Sequence, residues 1–226
     1  TMIRFGPNCD GAIRMIPYNA LIAARQYLAP ALQGARCVLD ATAGNGNDTL
    51  FLCQQTPPEC RVLAFDIQPA AIQGASGRIT QQGFGEKVCW IHDDHAKLAE
   101  HVTMPLDAAM FNLGYLPGQD HGLTTTPDSL ERALTVLLER LAPGGRITVV
   151  AYPGHAPGRA EIEFLEAWLP QCPQSRFVVS RLTFINQRNN PAILYMIGET
   201  RRKPHENAST NQGQGIGGTP GYPDAG

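Results

Sequence analysis

Short apolar runs alternate with segments of helical spacing between Pro17 and Gly198. Five of the runs are strand-like, and each of the first four ends in a polar residue followed by turn-forming residues. They are CVLD to Asp40, VLAFD to Asp66, VCWIH to His92, AAMFN to Asn112, and RITVVAY over 146–152. Uninterrupted apolar runs are typical of strands covered on both faces of a parallel sheet. The pattern therefore predicts a largely parallel sheet.

The segments between these runs carry apolar residues three or four positions apart, as amphipathic helices do. The clearest stripe consists of Leu130, Leu134, Leu137, Leu138 and Leu141. It follows a start signal, Thr126-Pro127, and precedes a stop signal, Ala-Pro-Gly-Gly at 142–145. Weaker stripes of the same spacing are Leu21, Ala24 and Leu28; Ile72, Ala75 and Ile79; and Ile162, Leu165 and Leu169.

Two further strand-like runs, 176–185 and 192–199, flank an Asn-rich loop with no helix between them. They predict two antiparallel strands that close one side of the sheet. The alternation as a whole predicts the α/β class, a doubly wound sheet with right-handed crossovers. Ligands of such sheets bind beyond the carboxyl ends of the strands, so the polar residues at those ends are the candidate site.

The composition allows one domain with a sizeable core. The chain has 226 residues, 43% of them apolar, and a formal net charge of −2, so any nucleic-acid contact must be a local patch. No run of 18 apolar residues occurs, and the N-terminus lacks the apolar core of a signal peptide, which argues against membrane insertion and secretion. We expect an N-terminal extension over 1–16, one domain over 17–199, and a disordered glycine-rich tail over 200–226.

The six cysteines include no CxxC pair, which favours reduced thiols over a zinc site or a disulfide framework. Cys37 and Cys89 fall within apolar runs, and we expect both to be buried.

The stretch LDATAGNGNDTLFL, residues 39–52, predicts a strand that ends at Asp40, a glycine turn and a helix. Gly44 and Gly46 permit positive φ and close approach of a ligand to the backbone, and we expect Asp40, Gly44 and Gly46 to contact the cofactor. A phosphate loop would need a lysine after Gly46, and a dinucleotide fingerprint would place Gly or Ala where Thr49 stands. The remaining candidate is S-adenosylmethionine, whose amino and carboxylate groups a polar turn can hydrogen-bond.

The polar residues of this turn have two interpretations each. Asn45 and Asn47 either bind the ligand or cap the following helix. Asp48 is better interpreted as a partner of the helix dipole than as a ligand contact.

The second and third strand ends supply further candidates. Asp66 lies 20 residues after Gly46, where a carboxylate accepts both ribose hydroxyls of either NAD or S-adenosylmethionine. Gln68 would contact the ribose or adenine, or would cap the helix that starts at Pro69. The cluster His92-Asp93-Asp94-His95 has poor spacing for a metal, so we expect no metal site. Asp94 and His95 are instead candidates for binding adenine, with a solvated helix cap as the alternative.

The fourth strand ends in FNLGYLPGQDH, beside the first strand in a sheet of this kind. Asn112 offers an acceptor that can orient an amine, Tyr115 can stack on a planar base, and Asp120 can accept a proton or hold a cationic amine. His121 is as consistent with plain surface. His155 and the loop over 186–191, in which Arg188 could contact phosphate, are weaker candidates.

The segments DATAGNGNDTLFL, AFDIQ, FNLGYLPGQDH, YPGH and FINQRNNP, in this order, resemble the rRNA methylase family, whose characterised members are the MnmM/YtqB-type tRNA methyltransferases. The resemblance covers about residues 17–199. It implies a Rossmann-like class I methyltransferase fold with seven strands, mostly parallel, and an antiparallel last strand. It also implies S-adenosylmethionine as cofactor and an N-methylation of wobble 5-aminomethyl-(2-thio)uridine to 5-methylaminomethyl-(2-thio)uridine.

The cofactor contacts carried over by the resemblance are Asn45, Asn47, Asp66, Gln68, Asp94 and His95. Some family members have His in place of Asn47, Ser in place of Asp94 and Lys in place of His121. The implied partner is a tRNA anticodon stem-loop, with no membrane contact, in the cytoplasm or an organelle of bacterial origin. The oligomeric state is left open, with a homodimer among the candidates.

Other functions stay open at this point. Within methyltransferases, rRNA, a small-molecule amine or a protein amine are alternative substrates. One rival class is an NAD-dependent oxidoreductase. Thr49 and the antiparallel closing strands argue against it. A non-catalytic RNA-binding module is another rival, which the near-neutral charge disfavours.

Overall fold

A computed structural model describes residues 16–114 and 126–200 of the chain. The predicted N-terminal extension lies outside these residues except for Ile16, and the predicted tail lies outside them except for Thr200.

Within the described residues, seven strands form one sheet in the order β3-β2-β1-β4-β5-β7-β6. Their bounds are β1 Cys37–Asp40, β2 Arg61–Asp66, β3 Val88–His92, β4 Leu106–Leu113, β5 Leu141–Ala151, β6 Phe177–Leu182 and β7 Ile193–Glu199. The pairs among β1 to β5 are parallel, and β7 runs antiparallel to both β5 and β6. The predicted mostly parallel sheet with an antiparallel last strand is confirmed.

Six α-helices cover the sheet in the described part of the chain. They are α1 Ala20–Leu32, α2 Asn47–Gln55, α3 Pro69–Gln81, α4 Leu98–His101, α5 Pro127–Arg140 and α6 Ala156–Trp168. Successive strand residues point to opposite faces, so Leu39 packs with the residues of α4, α5 and α6 while Val38 packs with those of α1, α2 and α3. No helix among these residues has the length and apolar content needed to cross a lipid bilayer.

The start of α5 follows the predicted signal. Thr126 Oγ1 accepts from the Ser129 backbone N–H at 3.2 Å, and Ser129 Oγ accepts from the Thr126 N–H at 3.0 Å. This reciprocal pair satisfies two N–H groups that a helix start otherwise leaves unpaired.

The predicted end of this helix is wrong in detail. α5 stops at Arg140, and Leu141 is already the first residue of β5, paired with Leu106. The Ala-Pro-Gly-Gly segment lies inside β5, where the register with β4 shifts and Gly144 has a φ of 80°. The segment therefore bends a strand that starts before it, because pairing with β4 outweighs the local turn signal.

The run VCWIH was predicted to be covered on both faces, and this is also wrong. β3 is an edge strand in which Val88 and Ile91 are buried, Trp90 is half-buried, and Cys89 and His92 are exposed. Cys37, in a central strand, is buried as predicted. An apolar run does not specify whether its strand is central or at an edge, since that depends on strand order.

Glu161 on α6 is an unusual titratable residue in the core. Its side chain is 3% exposed, and its Oε2 has no hydrogen-bond partner. Burial raises the pKa of the Glu161 carboxyl from 4.5 to about 8, because the ionised form cannot recover its lost hydration.

We expect Glu161→Gln to remove part of the pH dependence of folding. Since the folded state raises the Glu161 pKa, its contribution to stability is complete below about pH 4.5 and is lost as pH rises through about 8. The variant should match the wild type near pH 5 and exceed it in free energy of unfolding by more than about 1 kcal/mol near pH 9. Urea denaturation at several pH values measures this. Glu163→Gln, an exposed position on the same helix, is the control, and an equal gain in it would contradict the assignment.

Candidate functional site

A cavity of about 660 Å³ opens at the carboxyl ends of the central strands. This is within the size range of small-molecule sites. Eight of the predicted site residues line it: Gly44, Asn45, Asn47, Asp66, Gln68, Asp94, His95 and Asn112. The structure thus brings together residues from the ends of β1, β2, β3 and β4.

The glycine turn has the backbone that the sequence predicts. Gly44 and Gly46 have φ values of 49° and 74°, and Gly46 N–H donates to the Ala43 carbonyl at 2.7 Å. A Cβ on Gly46 would lie 2.9 Å from the Cβ of Ala75, so α3 packs directly on the turn. Gly46 itself does not line the cavity; it lets α2 and α3 approach each other.

The two asparagines do not cap α2, because the helix begins after Gly46 with no side-chain cap. Arg78 on α3 holds them instead. Its Nη1 donates to the Asn45 carbonyl at 3.1 Å and its Nη2 to Asn47 Oδ1 at 2.8 Å. Arg78 was not predicted from the sequence, since nothing local links residue 78 to the turn.

Asp66 joins the end of β2 to the glycine turn. Its Oδ2 accepts from Gly44 N–H at 2.8 Å, and its Oδ1 accepts from Gln68 N–H at 2.8 Å. Each carboxylate oxygen keeps a further lone pair, so the group can accept two more donors from the cavity. The Gln68 side chain makes no capping bond to α3, which leaves the capping alternative without support.

Asp40 lies beneath the turn and is not part of the cavity lining. It is 1% exposed, with Oδ2 accepting from the Thr49 hydroxyl at 2.6 Å and Oδ1 from Thr42 N–H at 3.2 Å. Burial, followed by the charge of Asp48, raises the pKa of the Asp40 carboxyl to about 7. The predicted direct ligand contact is therefore replaced by a role in shaping the turn.

Asp94 both lines the cavity and caps a helical turn. It lines the cavity, and its Oδ1 accepts from Ala96 N–H at 2.8 Å, capping the short 3-10 turn His95–Lys97. His95 is 7% exposed, and its Nε2 lies 3.4 Å from Ser129 Oγ. Burial lowers the His95 pKa, which favours a neutral ring at pH 7.

His92 and Asp93, the other two residues of the His92–His95 segment, contact neighbouring protein groups. His92 Nε2 lies 3.1 Å from the Ile67 carbonyl. Asp93, Glu100 and His101 do lie close enough together to hold an ion, but Lys97 Nζ already pairs with Asp93 at 2.9 Å.

Asn112 is held by residues that the sequence analysis did not select. Tyr152 donates its hydroxyl to Asn112 Oδ1 at 2.9 Å, and Asn112 Nδ2 lies 3.4 Å from Asp48 Oδ2. Arg25 Nη2 pairs with the other Asp48 oxygen at 2.8 Å. Asp48 and Tyr152 both line the cavity, so Asp48 does more than balance the helix dipole. Their roles depend on the packing of α1, α2 and β5, which no local motif encodes.

Three of the predicted residues, Tyr115, Asp120 and His121, lie outside the described part of the chain. His155 lines the cavity and caps α6, with its Nδ1 accepting from Gly158 N–H at 3.0 Å. Arg188 is exposed, in the loop whose Asn189 and Asn190 reach the cavity.

The cavity is strongly acidic. Four carboxylates line it, from Asp48, Asp66, Asp93 and Asp94, and neither Lys nor Arg occurs among its described lining residues. A negative, partly buried wall attracts cations and repels phosphates. The site therefore suits a positively charged ligand better than a dinucleotide with its pyrophosphate.

The arrangement of the sheet and the position of the cavity define the class I methyltransferase fold. The family described as "Putative rRNA methylase" matches residues 62–198. The chain belongs to this family.

Relatives of known sequence or structure agree with this assignment. A protein named tRNA (mnm(5)s(2)U34)-methyltransferase, chloroplastic, from Arabidopsis thaliana is 35% identical over 175 residues, which are 73% of this chain and 64% of that protein. The chain thus spans less than two thirds of that curated relative.

Two solved structures are also similar. A "putative rRNA-methylase" from Clostridium thermocellum has 38% identity and a TM-score of 0.79, covering 82% of this chain and 100% of that one. A "putative methyltransferase" from Streptococcus mutans, solved in complex with SAH, has 34% identity and a TM-score of 0.74, covering 82% and 99%.

We expect Gly46→Ala to destabilise the protein by at least about 1 kcal/mol, because alanine is strained at this φ and its Cβ would collide with Ala75. The free energy of unfolding in urea measures the effect. Gly77→Ala is the matched control, since this α3 position has no heavy atom within 4 Å of the added Cβ. It should raise stability by about 0.5–1 kcal/mol. Equal stabilities of the two variants would contradict the packing described for the turn.

Proposed function

We propose that this protein is an S-adenosylmethionine-dependent N-methyltransferase that acts on tRNA. Its substrate would be wobble 5-aminomethyl-(2-thio)uridine and its product 5-methylaminomethyl-(2-thio)uridine. The observation that carries the proposal is the acidic cavity at the strand ends, which matches both a cationic cofactor and a cationic amine. The name of the Arabidopsis relative, a tRNA (mnm(5)s(2)U34)-methyltransferase, supports the same substrate.

The residues present fit the cofactor. Asp66 has lone pairs available for two ribose hydroxyls, and the Gly44–Asn47 turn offers polar groups for the amino-acid portion. Asp94 and His95 border the space beyond Asp66 and would contact the adenine. The cofactor carries a sulfonium, an ammonium and a carboxylate, and its net charge of +1 would be attracted by the acidic lining.

S-adenosylmethionine supplies a methyl group already activated on a sulfonium, so the protein needs no strong base. It must instead align a neutral amine with the methyl group. Asn112 Oδ1, held by the Tyr152 hydroxyl, keeps one lone pair to accept an amine N–H. Because the amide is fixed from two sides, the amine lone pair can point away from Asn112 and toward the cofactor.

The amine must also lose a proton, since an aliphatic amine is largely present as the ammonium ion at pH 7. Asp48 would bind the incoming cation, lying beside Asn112 with one oxygen already paired to Arg25. Asp120 or a water molecule would carry the proton away. Tyr115 would stack on the uridine base.

The rival functions fit less well. An NAD-dependent oxidoreductase would place a pyrophosphate among four carboxylates. A non-catalytic RNA-binding module would need no such cavity. Amines in rRNA or in small molecules would fit the same chemistry. Experiment distinguishes these substrates from tRNA.

The remaining features of the proposal concern the setting of the enzyme. The partner would be a tRNA anticodon stem-loop, with no membrane contact and a homodimer as one candidate assembly. The Arabidopsis relative is named as chloroplastic, which supports an organelle of bacterial origin beside the cytoplasm as the expected compartment.

We expect S-adenosylhomocysteine, and not NADH, to raise the thermal unfolding temperature, because only a ligand of the folded state stabilises it. With S-adenosylmethionine, the protein should methylate the aminomethyluridine of tRNA from cells lacking the enzyme, as measured by nucleoside mass spectrometry. Stabilisation by NADH alone would exclude the proposed cofactor. Methylation of rRNA or a free amine, with tRNA unchanged, would exclude the proposed substrate.

We expect Asn112→Ala to lower kcat by on the order of tenfold to a hundredfold, because the amine is no longer aligned. The affinity for S-adenosylhomocysteine, measured by calorimetry, should stay near that of the wild type. Tyr152→Phe removes only the hydroxyl that orients Asn112 and should cause a smaller fall in kcat. Lost cofactor binding with normal turnover at saturation would contradict the assigned role.

A further inference from the structure

The described residues expose four large apolar side chains, and three of them lie at the cavity end of the sheet. Ile16 is 87% exposed, Tyr18 63% and Ile185 96%. The fourth, Val178, lies at the start of β6, at the opposite end of the sheet. Isolated exposed apolar residues need no explanation, but a group beside a ligand cavity indicates a binding surface.

Two separate segments form this surface, and a hydrogen bond joins them. Ile16 and Tyr18 lie just before α1, and Ile185 lies in the loop after β6. Gln187 Nε2 donates to the Tyr18 backbone carbonyl at 2.6 Å. We call residues 16–18 and 183–188 together the rim surface.

The rim surface is continuous with the cavity. Its loop runs on to Asn189 and Asn190, which line the cavity and have φ values of 65° and 51°. Two consecutive asparagines in the left-handed region turn the chain sharply between the rim and the next strand. In the described part of the chain, the rim surface therefore adjoins the cavity lining.

The charge around the opening of the cavity is unevenly distributed. Residues 16–19 and 183–192 contain one arginine, Arg188, and no acidic residue. Asp93 and Asp94 line the other side of the cavity. A polyanion with one cationic group to insert would approach over the rim surface, where its phosphates meet Arg188 rather than carboxylates.

We propose that the rim surface docks the unpaired nucleotides beside the target uridine in an RNA loop, with a base stacked on Tyr18. The inference rests on the proposed function and identifies where its RNA partner binds. Unpaired bases are recognised by stacking on exposed aromatic rings, and a base that enters a cavity must first leave its own stack. A tyrosine ring exposed beside the cavity, with apolar neighbours and one cation, meets this requirement.

Tyr18→Ala tests the rim surface without separating its two segments. The bond to Gln187 uses the Tyr18 backbone carbonyl, so loss of the ring leaves the two segments joined. We expect the dissociation constant for an anticodon stem-loop, measured by fluorescence anisotropy with S-adenosylhomocysteine present, to rise about tenfold or more. Tyr18→Phe keeps the ring and should bind like the wild type. Val178→Ser removes a comparable exposed apolar group at the far end and should change nothing.

Two further measurements separate this inference from the proposed function. Affinity for S-adenosylhomocysteine and turnover of the free aminomethyluridine nucleoside should be equal in wild type and Tyr18→Ala, because neither uses the rim. Unchanged stem-loop affinity in Tyr18→Ala would overturn the inference while leaving the methyltransferase intact. A change of oligomeric state by light scattering, with unchanged RNA affinity, would overturn it too and identify the rim as a self-association surface. Rim-dependent stem-loop binding without methyl transfer to any RNA would overturn the proposed function, while the stacking of unpaired nucleotides on Tyr18 would stand.

Discussion

The buried contact between Asp40 and Thr49 is the constraint on which the site depends. The carboxylate ends β1 and accepts the threonine hydroxyl of α2 at 2.6 Å, with both side chains removed from water. A buried carboxylate is stable only when it is well hydrogen-bonded. The contact therefore fixes where α2 begins relative to β1, and with it the course of the glycine turn between them. Asp66 then binds the turn through Gly44, and Arg78 closes it from α3.

The second organising property is the concentration of negative charge around this turn. Asp40, Asp48 and Asp66 interact strongly enough that the charge of Asp48 contributes to the raised pKa of Asp40. Within residues 16–114 and 126–200, Arg25 is the cation that pairs with Asp48. In the absence of a ligand such a group of carboxylates costs free energy, and a cationic ligand would recover part of it. The same charge would disfavour the phosphates of RNA, and the proposed route for a nucleic acid therefore lies over the neutral and basic rim.

Several features of the site could be predicted because they are local. A strand followed by Gly44, Gly46 and a helix is readable from residue types alone, and Asp66 lies at the expected distance along the chain. The resemblance to a methyltransferase family adds the number of strands and the antiparallel last strand. The features that escaped prediction are contacts between segments far apart in sequence. Arg78 lies more than 30 residues from the asparagines that it holds, and Tyr152 lies 40 residues from Asn112.

The sequence by itself determined the alternation of strands and helices, the left-handed glycine turn and the polar residues at the strand ends, because periodicity and backbone sterics act over a few residues. Only the tertiary structure decided that Asp40 lies beneath the turn, that β3 is an edge strand with Cys89 exposed, and that Asp48 and Tyr152 hold Asn112. Burial and hydrogen-bond partners depend on which segments pack side by side, and residues of the same local pattern are buried or exposed according to that packing.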